Sequence, residues 1–466
     1  MASNLLAILG TAGSALDAFQ QALTVTQNNI GNSSTPGYAS QSVNLEAQPL
    51  DVASGLAGGV AAGSLINSRD QYAEEQVERQ TQTLGEYTAQ AQTTGTIQSL
   101  FDASGTSGIS ADLSSLLQSF SAWSATPSDP TAQQSVIDSA STVASDIQGL
   151  ASSLSQNAQQ LDTSIASTTS QINSIAAQVQ AYNAQRLNET TPDPGEDATL
   201  YSALDNLSQL TSFSTVTQAD GTVTVLLGGG SPLVIGSQQY ALSATTSASG
   251  AEILDSQGND ITSQITSGQL GGMLNTRNRV LGSMMGSSAQ TGTLNQFAAA
   301  LADTVNQILK SGTVASGAGA AAGTALFTYN SPADAASTLA VNPAITAGQL
   351  APVDASGDAN GNANQLAALE STPLTNLGGM SLTQYFGQIA SDIGAENQTA
   401  TDNQTSQQQV VAQATSLVNQ VSGVSLDDEA VNVLQFQRAY QAAAQLVAAV
   451  NNCLESIINL IPVSAG

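Results

Sequence analysis

Val424–Ile461 constrains this chain more than any other stretch. Val433, Phe436, Tyr440, Ala443, Val447, Val450, Leu454, Ile457 and Ile461 follow one another at alternating steps of 3 and 4. Such an a/d repeat describes a helix with one narrow apolar seam, and a seam that narrow has to lie against another helix. Ser425 stands where an N-cap belongs, with Asp427, Asp428 and Glu429 in the first turn, where carboxylates suit the helix dipole. No Pro or Gly interrupts the pattern before Pro462. The matching seam sits at the other end of the sequence. Leu5, Leu9, Ala12, Leu16, Phe19, Leu23, Thr26 and Ile30 keep the same alternation. Gly10 and Gly13 weaken the first turns, so the firm helix is expected from about Ser14 to a stop before the turn pair Pro36-Gly37. Two matching seams at the termini imply a chain that leaves its base, travels outward and returns.

The middle of the chain fits that path. Between the N-terminal helix and Arg69 the helical period is lost, and Val43, Leu45 and Ala47 alternate among glycines, the signature of extended structure with turns. Helical spacing returns from Arg69 to about Phe101, and Ile109 to Trp123 form a short amphipathic helix closed by Pro127 and Pro130. From Thr131 to Leu187 a 4/3 alternation runs on with only Gly149 against it, which predicts a rod on the order of 80 Å long. Leu200–Leu210 is a further short helix. The period then falls to two: Ser214–Gln218 and Thr222–Leu227 flank Asp220-Gly221, a hairpin signal, and Pro232–Ile235, Tyr240–Leu242 and Glu252–Leu254 read as strands. Met273–Leu309 reads as a second long helix, residues 311–375 as an irregular Gly/Ala/Ser/Asn-rich excursion, and Leu382–Val421 as helix again. The fold class is therefore mainly α with a β-rich insertion, built on long antiparallel coiled-coil-like helices from both ends with a small central β domain at the tip. The expected division is residues 1–35 with 425–466 as a terminal coiled-coil domain; residues 36–211, 266–310 and 376–424 as a long-helix domain; and residues 212–265 with 311–375 as a small β-rich outer domain.

Charge and composition exclude several functions. Lys and Arg number 7 against 35 Asp and Glu, for a net charge of −28. That leaves no basic footprint for nucleic acid and no attraction to anionic lipid. No run of 18 apolar residues is present, so no membrane insertion is expected. There is no His, the commonest general base, and no Ser-x-x-Lys or Gly-x-Ser-x-Gly string, so no catalytic site and no enzyme is expected. Cys453 lies beside seam residue Leu454 and reads as a small buried hydrophobe. Asp358-Ala359-Asn360-Gly361-Asn362 has Ala363 and Leu369 where a calcium loop needs Gly and a bidentate acid, so no metal and no cofactor is expected.

Two strings at opposite ends carry a resemblance. Leu16-Asp17-Ala18-Phe19-Gln20-Gln21-Ala22-Leu23, then Asn28-Asn29-Ile30 and Pro36-Gly37-Tyr38, is similar to the N-terminal signature of bacterial flagellar axial proteins of the rod, hook and hook–filament junction. Ser425-Leu426-Asp427-Asp428-Glu429 with Gln437-Arg438-Ala439-Tyr440-Gln441-Ala442 resembles the matching C-terminal motif. Asp129-Pro130 before the very long helix, Gly268 to Gly272 with Arg277, and Ala390 to Gly394 resemble the junction members in particular. Ser40 and Asn67 stand where the family often has basic residues.

The resemblance implies a structural subunit joining hook to filament. It implies export through the flagellar type III apparatus without signal cleavage and a final place in the extracellular flagellum. The implied partners are copies of itself, hook protein, an adjoining second junction protein and an export chaperone on the C-terminal segment. Leu5, Leu9, Leu16, Phe19, Leu23 and Ile30 would form the N-terminal assembly seam, and Asn28, Asn29, Pro36, Gly37 and Tyr38 the family turn. Val433, Phe436, Tyr440, Val447, Val450, Leu454, Ile457 and Ile461 would form the C-terminal assembly and chaperone seam. Other readings are a hook or other axial protein, or, from a different class, a secreted coiled-coil effector.

Overall fold

The computed structural model describes residues 2–51, 56–101, 107–188, 194–247, 250–286 and 290–459. Ile461 lies outside the described residues. The chain starts with α1 (Ala2–Asn32), which stays helical through Gly10 and Gly13. Strands β1 (Gln41–Asp51) and β2 (Leu56–Asn67) then pair antiparallel, with an irregularity in register between Val43 and Leu45. This hairpin packs along α1, whereas the sequence division put residues 36–67 with the long helices.

The body is built on α4 (Pro130–Arg186), 57 residues of unbroken helix. Asp129 caps it, accepting the Thr131 N–H at 2.9 Å, with Pro130 in the first turn, where its missing N–H costs nothing. Its buried line, from Val136 through Ile147, Leu161 and Ile172 to Val179, keeps the expected 4/3 spacing. Helices α2 (Gln71–Gln98), α3 (Gly108–Ala125) and α5 (Pro194–Leu210) pack around it. Phe120 and Trp123 on α3 are fully buried, and the indole N–H donates to Pro127 O at 3.1 Å.

The β insertion contains two small antiparallel sheets. One has the order β3 (Phe213–Thr217), β4 (Val223–Leu227), β5 (Pro232–Ile235), β6 (Gln238–Gln239). The other pairs β7 (Ser243–Ser247) with β8 (Gly250–Leu254). Side-chain amides on α4 pin both to the rod. The fully buried Asn183 accepts from the Val223 N–H at 2.8 Å and donates to Val223 O and Gly236 O. Asn173 makes the same paired contact with Leu242 N and O, at 2.8 Å each. That contact corrects the strand expected at Tyr240–Leu242: an α4 side chain has taken the backbone groups that a neighbouring strand would need, and β6 and β7 flank the site instead.

The long helix expected over Met273–Leu309 is also corrected. The chain forms α6 (Gly268–Asn275), a π-helical turn over Thr276–Leu281, α7 (Gly282–Met285) and, after a reversal, α8 (Thr293–Lys310). Gly286 adopts φ +88°, open to glycine and disfavoured for other residues, and Gly286 and Thr291 bridge antiparallel. Apolar periodicity does not register such a reversal. The extra residue of the π turn aims Arg277 at α4. Its guanidinium donates to Asp162 at 2.7 and 3.3 Å and to Ser247 O at 2.9 Å, and so ties β7 to the rod.

Residues 311–375 contain β9 (Phe327–Thr328), α9 (Ala335–Thr338), β10 (Ala340–Val341) and α10 (Gly361–Ala368). β9 and β10 pair with each other, and the segment packs on α3, α4 and α8. Helix α11 (Leu382–Ser422) opens with a capping box, Ser381 with Gln384, and runs antiparallel to α2 back to the base. Phe101, Phe386 and Phe297 meet where α11 enters the body, with ring centroids 6.1 and 5.4 Å apart. The last helix, α12 (Leu426–Asn459), lies antiparallel to α1.

Two glycines on helices test this packing with opposite signs. A Cβ on Gly272 would stand 2.4 Å from Glu86 O, because α6 and α2 touch backbone to backbone there. Gly149, on the exposed side of α4, has open space around it. Gly272→Ala is expected to lower unfolding stability by about 1–3 kcal/mol. Gly149→Ala is expected to raise it by about 0.5–1 kcal/mol, and denaturant melts of the two variants read both changes.

Candidate assembly interface

The two chain ends meet at the side chain of Asn29. Near the end of α1 it sits 1% exposed, in line with the small buried residues Ala18 and Ala22. A polar amide in such a line must have partners. Asn29 Nδ2 donates to Gln41 O at 2.8 Å and to Glu429 Oε1 at 2.7 Å. Its Oδ1 accepts from the Gln41 N–H at 3.0 Å and the Tyr38 hydroxyl at 2.9 Å. Two donors and two acceptors are thereby all used. The amide serves residue 41 as a neighbouring strand would and binds the first turn of α12, 400 positions along the chain. Glu429 is buried at 6% exposure, so the contact is a charge-assisted bond inside protein. Burial and then the charge of Glu429 push the Tyr38 hydroxyl above its usual range, which keeps it a donor.

A second set of contacts joins this base to the body. Ser422, at the end of α11, accepts the Ser40 N–H at 2.9 Å through its carbonyl, and its hydroxyl accepts the Asp70 N–H at 3.3 Å. Arg69 donates through Nη1 to Glu74 at 2.6 Å, through Nη2 to Gly37 O, and lies 3.6 Å over the Tyr201 ring. Gly37 has φ +72°, and a Cβ there would meet Ala198 O at 2.4 Å. The Pro36-Gly37-Tyr38 turn therefore has to be a glycine turn: it presses on α5 while Arg69 holds its carbonyl. Beyond Arg69 lie the carboxyls of the buried Glu78 and the half-buried Asp205. Burial, then the charges of Asp205, Glu74 and Glu75, push Glu78 up to about 8. Burial and Glu74 push Asp205 up to about 6.

The expected seam residues fall into two groups. Leu5, Leu9, Leu16, Phe19 and Leu23 are half-buried, and the deepest line on α1 is Ala12, Ala18, Ala22, Thr26 and Asn29. Ile30 is 38% exposed within the single chain. Small residues let α1 approach its neighbours closely, and the larger side chains are left to flank the contact. On α12, Val450 and Ala443 are buried, and Val433, Phe436, Val447, Leu454 and Ile457 are half-buried. Tyr440 is 36% exposed, at the edge of the contact, and Cys453 is exposed, not buried as expected. Asn28 and Pro36 are exposed, and Asn28 contributes its carbonyl to the Asn32 side chain at 3.0 Å. Glu429, Gln41, Ser422 and Arg69 were not among the expected site residues. The available signal was Asn29 itself, a buried-register amide that required partners.

Two measurements check this geometry. Asn29→Ala leaves the Glu429 carboxylate buried with its amide partner gone, and is expected to cost about 1–3 kcal/mol in stability, read by denaturant melts. Glu78 and Asp205 have folded pKa values raised above their unfolded ones. Their contribution is therefore fully present below about pH 4 and lost as pH rises through about 6 and then 8. The melting temperature is expected to fall between pH 5 and about 8.5. Glu78→Gln is expected to flatten the upper part of that fall.

The comparisons with known proteins match this layout. The "Flagellar hook-associated protein FlgK helical domain" family matches residues 94–327. "Flagella basal body rod protein" matches residues 9–38, and "Flagellar basal body rod FlgEFG protein C-terminal" matches residues 418–460. The chain is 25% identical over 505 residues to flagellar hook-associated protein 1 of Bacillus subtilis, covering 97% of each. It is 24% identical over 556 residues to that of Escherichia coli, covering 97% of this chain and 99% of the relative. The flagellar hook junction protein FlgK from Burkholderia pseudomallei has the same fold, with a TM-score of 0.64 at 16% identity, over 74% of this chain and 100% of that one. The half of the sequence that includes the long rod and the β insertion thus matches one helical domain, and the two termini match the shared axial ends; the chain belongs to the flagellar hook-associated protein 1 family.

Proposed function

We propose that this chain, a structural protein of the bacterial flagellum by its family, is the subunit that joins hook to filament. The observation that carries the reading is the state of the termini. Within the described residues, 2–35 and 425–459 come together at the base, and there α1 and α12 leave large apolar side chains uncovered: Leu6 is 60%, Leu434 55% and Ile458 66% exposed. Helices whose apolar side chains are half covered within one chain have further burial to gain from neighbours. The terminal pair would form the inner axial core, with Leu5, Leu9, Leu16, Phe19 and Leu23 facing Val433, Phe436, Val447, Val450, Leu454 and Ile457 within and between copies. The rod and the β insertion would project outward from it.

The partners that follow are copies of this chain, hook protein below and a second junction protein above. Export would pass through the flagellar type III apparatus without cleavage. A chaperone on the C-terminal seam would mask it until assembly, since an uncovered seam on a free subunit invites aggregation. The role is structural, with no reaction assigned. No helix of the described residues is long and apolar enough to cross a membrane.

A strain lacking the protein is expected to show hooks without filaments by electron microscopy, with monomeric filament protein in the medium. Attached filaments in that strain would sink the reading. Deleting Leu434–Gly466 is expected to leave a folded, soluble monomer, because the aromatic and aliphatic core lies in the body, and to abolish its incorporation at the hook tip.

A further inference from the structure

We propose that a second apolar stripe, on the outer side of α11, is a side-by-side contact between neighbouring copies of this chain; the proposal rests on the axial reading above. Val410, Leu417 and Val421 follow one another at steps of 7 and 4, and Val424 comes just past the helix end. That is helical seam spacing, and a stripe so narrow suits another helix. It is not the line that faces α2. That line is Gln404, Gln407, Val411, Ala414, Val418 and Ser422, where Gln407 donates to Gln80 at 2.7 Å and Gln404 to Thr88 at 3.2 Å. Beside it Val410, Leu417 and Val421 stand 38%, 53% and 47% exposed. Within the single chain this seam is unfilled.

Charge identifies the occupant. Two copies of a chain with net charge −28 repel each other over most of their surface. Between Asp402 and Asp427 there is no charged residue at all, and the flanks of the stripe are Asn, Ser, Gln and Thr. Like-charge contact is the main obstacle to self-association, and this face removes it. A basic partner would be better recognised almost anywhere else on the molecule. The stripe also runs directly into Ser422, which holds the base, and from there into α12. It continues the terminal assembly surface along the body, and a stack of copies would bury both together.

The test places a benzoylphenylalanine cross-linker at position 417 or, as a control on the polar side of the same helix, at position 405, in the full chain in flagellated cells. The expected result is an adduct containing two copies of this chain from position 417 and not from 405. Adducts of position 417 with a different protein alone, or equal self-adducts from both positions, would overturn the proposal. As an independent readout, Val410→Asp with Leu417→Asp changes exposed positions and is expected to keep the wild-type melt and export. Attached filaments should fall about tenfold or more. Normal attachment with this double variant would also overturn it. If a strain lacking the chain still attached filaments, the axial reading would fall instead. If that strain lost them while position 417 gave no self-adduct, only the present inference would fall.

Discussion

The structure depends on one amide. Asn29 closes the loop from the first helix to the first strand and ties the first helix to the last, using every donor and acceptor it has. The chain outside that point is a long excursion whose return has to be met in register. Apolar packing alone would not fix the register, because a 4/3 seam presents nearly the same surface one heptad along. A buried amide facing a buried carboxylate has one arrangement in which both are satisfied. Shifting α12 by a turn leaves Glu429 and one N–H of Asn29 unpaired inside protein, and that penalty falls on the misaligned state rather than on the aligned one.

From that point outward the protein uses three kinds of interface. At the base, α1 meets its neighbours through Ala12, Ala18 and Ala22, with modest apolar burial. Along the shaft, α2 and α11 meet through Gln80 and Gln407, Thr88 and Gln404, and Thr94 with Asn397. In the body, Trp123, Phe120, Phe297 and the long aliphatic line of α4 form an ordinary close-packed core. Stability is graded accordingly, greatest in the body and least at the base. A subunit that completes its base only among its neighbours needs a body that folds without them.

Much of the fold was legible because it rests on periodicity and local stereochemistry. The rod from Pro130 to Arg186, its Asp129 cap, the Asp220-Gly221 hairpin and the pairing of the two ends all follow from patterns within a short window or from two matching patterns. What escaped depends on partners far away in sequence. Tyr240–Leu242 has strand composition, but Asn173 takes the backbone groups of Leu242. Met273–Leu309 has helical spacing, but Gly286 turns the chain. On α1 the apolar count picks out Leu16, Phe19, Leu23 and Ile30, whereas the closest approach runs along Ala12 and Thr26 of the same seam and along Ala18, Ala22 and Asn29 beside it. Glu429 looked like a dipole carboxylate and is also the partner of a buried amide. Arg69 could not be placed, since its contacts with Gly37, Glu74 and Tyr201 come from three separate elements.

The polar shaft is the least expected of these choices, and it follows from the charge of the whole chain. A helix pair closed by leucines would be stronger within one subunit, but any turn left uncovered would be an adhesive surface on a protein that must stay unassembled until it reaches its site. Amides and hydroxyls hold α2 and α11 together while remaining compatible with water when they part. They also carry no charge, and α11 has none after Asp402, so adjacent copies can approach along that stretch despite the net charge of −28. Lysines and glutamates on these faces would have kept free subunits apart equally well, but they would also have kept assembled ones apart. Neutral polar residues along one line, with a few valines and leucines along the next, give a surface with little affinity for a single passing copy. Between copies aligned side by side along the length of the helix, each small contact adds to the one before it.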